Sequence, residues 1–269
     1  MKIFDKHADL ITGRFPQNWR DPVCVELSNV ARYLYSENPK EHWHWSDFPN
    51  VAPPWPCAWY EWSTPACVNS EGTVTRSSAP PSRNGVYAIS TGSAEDGWLS
   101  LLSIWVDCPA ERREPVEAGR AVVPISQDGL MDWEKTHMLT PYSVEGLWSL
   151  LFPYCLGVSF THCRNVELTE SPVPEAVRKK RQRHGKRSTV FKTLEISPMR
   201  AVLHDASSNP KAGLKKRLHI CRGHFKDYRN GRGLFGKYRG MFWWEMHVRG
   251  DKKAGSVNKD YAVNPSLKT

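Results

Sequence analysis

The 269-residue sequence has no run of about 18 apolar residues, so no membrane-spanning helix and no membrane partner is expected. Its start, Met1 to Asp9, lacks the apolar core of a signal peptide, which points to a cytoplasmic protein rather than a secreted one. No CxxC pair occurs. The seven cysteines, an odd number, are scattered at positions 24, 57, 67, 108, 155, 163 and 221, which argues against a zinc ribbon and against a disulfide framework. There is no GxGxxG in a βα setting, no P-loop, no helical HExxH and no internal repeat, so a nucleotide-driven enzyme is disfavoured and no cofactor is expected. No metal site is expected either. His42 and His44 would share one face of an extended segment, but no third ligand stands near them.

Charge is present in quantity and unevenly placed. Residues 1–177 hold 13 Lys and Arg against 22 Asp and Glu; residues 178–269 hold 24 against 6. The net +9 of the chain therefore divides into −9 and +18. About ninety residues at +18 should seek a polyanion. The bland alternatives are that the acidic part neutralises the basic part, within one chain or by self-association, or that an acidic protein binds. Twelve tryptophans are far more than ordinary usage and imply exposed aromatic surface for stacking or partner contact, beyond those in the core.

The patterning predicts an α+β protein, mainly antiparallel sheet with two or three short helices. It divides into an acidic α+β part (1–170), a basic linker or arm (171–187) and a basic antiparallel β part (188–269). Asp21-Pro22 reads as an N-cap followed by proline at the first helical position, and the apolar spacing after it predicts an amphipathic helix over 22–36. Strands are expected at 57–62, 86–90, 98–106, 121–125, 165–169 and 189–196, with Ser100 to Val106 carrying the continuous apolar run of a buried strand. A helix is expected over 142–151, ended near Pro153. Glu61 reads as an edge-strand glutamate rather than a site acid. His162-Cys163 reads as a turn histidine beside a buried cysteine, since nothing local supplies a nucleophile elbow.

Groups capable of chemistry are densest between Arg217 and Gly250. From Arg239 to Arg249 the even positions Phe242, Trp244, Met246 and Val248 are apolar and the odd ones include Glu245, His247 and Arg249, the alternation of a half-buried strand. Its partner would be Arg217 to Tyr228, with Gly223 as a bulge or a point of close backbone approach, and Ser256 to Val263 would complete a three-stranded antiparallel meander. Upstream, Arg178 to Arg187 packs seven Lys/Arg and one His into ten residues, a solvated or phosphate-binding arm.

Three functions fit. The first is nucleic-acid binding, RNA or single strands favoured. Phosphates would be held by Arg178, Lys179, Lys180, Arg181, Arg183, Lys186, Arg187, Lys215, Lys216, Arg217, Arg222, Lys226, Lys237, Arg239 and Arg249. Trp243, Tyr228, Phe235 or Tyr238 would stack on bases, and Trp244 would be the core member of the tryptophan pair. The second is a metal-independent, toxin-like ribonuclease. RNA cleavage through the 2′-OH needs a base, an acid and a cation, for which His224, His247, Arg222, Lys226 and Tyr228 are the candidates. The third is a protein-interaction factor, such as an inhibitor of a host defence system, docking on a host protein or nucleoprotein complex.

Several segments also carry a resemblance. They are Pro53-Pro-Trp-Pro with Trp59-Tyr-Glu-Trp62, then His162-Cys-Arg-Asn-Val-Glu167 followed by the basic run. The most specific block runs from His219 and Arg222-Gly-His-Phe-Lys226 through Leu234-Phe-Gly236, Phe242-Trp-Trp244 and Arg249-Gly250 to Lys259-Asp-Tyr261. In these the chain resembles a protein family of bacteriophages, prophages and other mobile elements that shares an RGHFK…LFG…WW…RG C-terminal block. The resemblance spans most of residues 50–263. It implies a mobile-element origin and the bacterial host cytosol, and no mechanism.

Overall fold

A computed structural model of the chain describes residues 2–34, 44–64, 67–68, 74–75, 82–107, 114–141, 144–171, 173–184, 189–197, 217–221, 223–245, 247–249 and 251–256. The chain is α+β and forms two units, Met1–Ile196 and Ser197–Thr269. In the first, eight strands make one mixed sheet. In chain order they are β1 (Val23–Glu26), β2 (Cys57–Thr64), β5 (Ser82–Ser93), β6 (Gly97–Asp107), β7 (Val116–Ile125), β8 (His137–Met138), β9 (Val166–Ser171) and β10 (Phe191–Ile196). A two-stranded pair, β3 (Cys67–Val68) and β4 (Val74–Thr75), stands apart from them. Across the large sheet the order is β8-β7-β6-β5-β2-β1-β10-β9. β1 pairs in parallel with β2 and with β10, and the remaining pairings of this sheet are antiparallel.

Alternation divides the sheet into two faces. On one, Cys24, Trp59, Tyr87, Trp105 and Phe191 pack under helix α1 (Ile3–Thr12), which contributes Ile3, Phe4, Ala8 and Ile11. On the other, Tyr60 meets Tyr154 of helix α3 (Val144–Thr161) edge to face, with ring centroids 5.0 Å apart. Helix α2 (Ser28–Arg32) lies beside β2 and α3, and a Cβ added at Gly157 of α3 would come within 2.6 Å of Leu27.

Helix α1 lacks a local cap: Lys2 at its N-cap makes no side-chain capping bond. The cap comes from Glu61 instead, fully buried on β2. Its Oε1 accepts from Ile3 N at 2.7 Å and from Arg83 Nε at 2.6 Å; its Oε2 accepts from Phe4 N at 3.2 Å and from Trp59 Nε1 at 2.9 Å. A carboxylate on the first amides of a helix also meets the positive end of its dipole. Arg83 extends the network to Glu26, 3.2 Å away, and Lys2 pairs with the same carboxylate at 2.7 Å. Burial alone would raise the Glu26 carboxyl, but Lys2, Ser28 and Arg83 together hold it below the ordinary glutamate value.

These facts correct several expectations. Glu61 lies on an interior strand, between β1 and β5, not at an edge. The helix expected over 22–36 begins as β1, because Val23 to Glu26 complete hydrogen bonding between β2 and β10; only Ser28 onward is helical. Helix α3 runs through Pro153 to Thr161, where burial of Leu151, Tyr154, Cys155, Leu156, Val158 and Phe160 outweighs the roughly 3 kcal/mol an interior proline costs. The first unit extends to Ile196, beyond the expected boundary at 187, because β10 is paired on both sides within its sheet. Part of the expected arm is also folded, as helix α4 (Glu175–Arg183). Among the described residues, no helix is long and apolar enough to cross a membrane.

Candidate nucleic-acid interface

In the second unit the strands are β11 (Arg217–Cys221), β12 (His224–Asp227), β13 (Met241–Trp244), β14 (His247–Arg249) and β15 (Asp251–Ser256). β11 pairs antiparallel with β14, from His219 opposite Arg249 to Cys221 opposite His247. β12 pairs antiparallel with β13, from His224 opposite Trp244 to Asp227 opposite Met241. Two residues separate the pairs on each strand, so the ladder resumes in the same register. A bulge at Gly223 would have shifted it by one. The hairpin is thus the one expected from alternation; β15, over a segment not read as a strand, lies parallel to β11. The expected strand beyond Ser256 lies outside the described residues.

Packing on the hairpin differs from simple alternation. Leu234 and Phe242 are buried and form a cluster with the half-buried Tyr228, Tyr238 and Trp244. Trp243, on the opposite face, is also buried at 3% exposure and meets Phe225 edge to face at 4.7 Å. Trp243 is therefore a core residue and not the stacking surface expected of it. Trp244 is the more open of the two, with Lys226 Nζ 4.1 Å from its ring centroid, a cation–π contact. Asp227 accepts from Arg229 Nη2 at 2.7 Å and from Arg229 Nε at 3.0 Å, which lowers its carboxyl below the ordinary aspartate value.

Between Tyr228 and Gly240 the chain makes a compact loop. Tyr228 N donates to Gly240 O at its base, and Leu234 N donates to Tyr238 O at its tip, both at 2.8 Å. Lys237 N donates to Leu234 O at 3.1 Å, closing the turn Leu234-Phe-Gly-Lys237. Arg232, Lys237 and Arg239 are exposed around it.

The cations expected to hold phosphate are only partly gathered. On α4, Arg178, Lys179, Lys180 and Arg183 are exposed, and no residue of the helix is buried. Lys179 pairs with Glu175 one turn away at 2.8 Å. Arg181 is the exception, bound to the Asp5 carboxylate of α1 at 2.8 Å; the same carboxylate accepts from Thr189 N at 3.2 Å. One nearly buried aspartate thus holds α4 and the start of the chain leading to β10. Lys186, Arg187, Lys215, Lys216 and Arg222 lie outside the described residues. Arg217 and Arg249 are placed by backbone alone, on β11 and β14.

The ribonuclease candidates His224, Lys226 and His247 lie on strands of the same unit, β12 and β14. His224 is exposed opposite Trp244, while His247 pairs with Cys221. His247 is placed by backbone alone, and Arg222 lies outside the described residues. Tyr228, the substitute acid, has its phenol pushed up by burial.

In the first unit the groups weighed as reactive are occupied structurally. Cys163 is buried and its thiol is pushed up to about 12 by burial; His162 Nε2 lies 2.8 Å from Ala52 O. His44 begins a short 3-10 turn and contacts Ser46 Oγ at 3.0 Å. Among the described residues no group of three His, Cys, Asp or Glu is placed to hold a metal ion. A hollow of about 150 Å³ is lined by Trp45, Phe48, Val51, Met131, Trp133 and Cys155, all uncharged. The tryptophans are mostly accounted for here: Trp59, Trp62 and Trp105 are fully buried, and Trp45 packs on Trp133. Of the tryptophan side chains described, none is exposed, contrary to the expected aromatic surface. Comparison of the chain with protein families, with curated proteins and with solved structures finds no match.

Proposed function

We propose that the chain binds nucleic acid, RNA foremost, through the basic hairpin of its second unit, with the cationic helix α4 as a further phosphate surface. One observation carries this reading. Residues 223–245 hold five cations, Lys226, Arg229, Arg232, Lys237 and Arg239, against two carboxylates, of which Asp227 is already taken by Arg229. Arg232, Lys237 and Arg239 stand exposed on a loop whose backbone is tied by its own hydrogen bonds. Cations so placed are matched to phosphates, and binding releases counterions. The division of the whole chain into an acidic part before residue 178 and a basic part after it supports the same reading. The resemblance of the C-terminal block to mobile-element proteins implies a bacterial host cytosol as the setting, and no mechanism.

The test is purification at low and high salt, with the 260/280 nm absorbance ratio read at each and the bound material challenged with RNase and DNase. Nucleic acid that leaves with salt supports the proposal. With about four phosphate contacts, affinity for a single strand should fall about 50-fold between 50 and 200 mM salt. Protein that emerges clean at low salt and binds no added polyanion refutes it, and a pull-down that survives nuclease then favours the protein-interaction role.

A further inference from the structure

Among the described Phe, Tyr and Trp side chains, one stands exposed: Phe235, at 65%. It is also the one described non-glycine residue with positive φ, at 55°. Gly236 follows at 71°, and Lys237 N bonds Leu234 O across them. Two consecutive positive φ values closed by that bond make a type I′ turn, whose first central position favours Asn, Asp or Gly. A bulky side chain there is held in a sparsely populated conformation, and here it is aimed at solvent rather than at the core. The core contact of this turn is made by its neighbour Leu234, buried at 7% and packed with Phe242. Phe235 thus adds nothing to the hydrophobic cluster that would offset its backbone conformation. Within four positions of it in the chain stand the exposed Arg232, Lys237 and Arg239.

We infer that the Leu234–Lys237 turn is a stacking tip that takes an unpaired base of a single-stranded nucleic acid on the Phe235 ring, while Arg232, Lys237 and Arg239 hold the flanking phosphates. The inference rests on the nucleic-acid reading above and adds to it the class of ligand. A base within a duplex has both faces covered by its neighbours, whereas an unstacked base offers a face to an aromatic ring. The occupant follows from the charge around the tip: an apolar protein groove would not require three cations beside its anchor, but a phosphate backbone does.

The experiment compares wild type, F235N and F235W in full-length protein, by fluorescence anisotropy with a labelled oligouridylate of about 15 nucleotides and a labelled RNA duplex of about 15 base pairs, at about 50 mM salt. Asparagine suits the turn and removes the ring, so the fold of the loop is kept. The expected result is a loss of about 5-fold or more for the single strand in F235N, the fold-change that stacking of one base commands. Duplex affinity and the salt slope should be unchanged, and F235W should bind like wild type. Single-strand affinity in F235N within twofold of a binding wild type would overturn the stacking tip alone, and would leave Phe235 to a protein partner. Equal losses on single strand and duplex would overturn it as well. A wild type that binds neither probe would overturn both the tip and the nucleic-acid reading beneath it.

Discussion

Replacing Glu61 with glutamine keeps the shape of the side chain and removes its charge. The carboxylate accepts four hydrogen bonds, two on each oxygen. An amide can keep only one of those oxygens. If Oε1 survives, Phe4 N and Trp59 Nε1 face an NH2 group; if Oε2 survives, Ile3 N and Arg83 Nε do. Each buried donor left unmatched costs about 1–3 kcal/mol, and loss of one partner of a buried ion pair costs about 3–5 kcal/mol. E61Q should therefore lose about 3–5 kcal/mol in urea unfolding, and its melting temperature should fall by roughly 6–20 °C, as expected for a unit of this size. The loss should be local first: hydrogen exchange at the α1 amides should rise well before that of β5 and β6. A loss below about 1 kcal/mol, or α1 amides that exchange at the wild-type rate, would refute the account of Glu61 as a remote helix cap.

Other expectations follow from the same packing. Glu26 has its carboxyl held below the ordinary value in the folded state, so its contribution is complete above about pH 4.5 and is lost as pH falls through the lower folded value; urea titrations from pH 7 to pH 3 should show an acid limb that E26Q flattens, and identical limbs would exclude the mechanism. Alanine at Gly85 would place a Cβ 2.2 Å from the Trp59 indole, so G85A should cost about 1–3 kcal/mol by overpacking, while a change within 0.5 kcal/mol would mean that the indole has room to move. In D5N the anchor of Arg181 and of Thr189 N is weakened, so trypsin should cut within residues 178–187 about tenfold faster; unchanged cleavage would show that α4 is held by other contacts. Finally, F235N should relieve the unfavourable φ and stabilise the turn by about 1 kcal/mol, seen as slower exchange of the Lys237 and Tyr238 amides, and faster exchange would contradict the strain argument.

The strands of the large sheet were readable where one signal sufficed. Ser100 to Val106, five apolar residues and two serines, lies in β6 inside the sheet, and the Cys57–Trp62 segment lies in β2. Reading failed where the deciding partner was distant. Asp21-Pro22 is good local start chemistry for a helix, yet Val23 to Glu26 are claimed by two neighbouring strands. Ile3, Phe4, Ala8 and Ile11 do carry a helical spacing before Gly13, but the cap that would have marked the start sits on Glu61, 58 residues away. On the hairpin the pairing of the two arms was legible from alternation, and Trp244 does pack on the Leu234–Phe242 cluster, but Trp243, expected to be open, is buried as well. Alternation distinguishes faces only when one of them is open, and here both Phe242 and Trp243 are buried. Phe235 was legible as an aromatic among cations; that it sits at positive φ could be known only from the closed turn.

The position of β1 also bears on how the protein must be made. Its two neighbours are β2 and β10, and Cys24 meets Phe191 across the second pairing. At translation rates of about 5–20 residues per second, roughly ten to thirty seconds separate the emergence of β1 from that of β10. Through that interval one edge of β1 has no native partner, and a nascent chain with an open apolar edge is a target for pairing with other chains. The native sheet cannot close until residue 196 has left the ribosome, so truncations ending before Ile196 should accumulate as aggregates, whereas a chain cut just after it retains every strand the sheet requires.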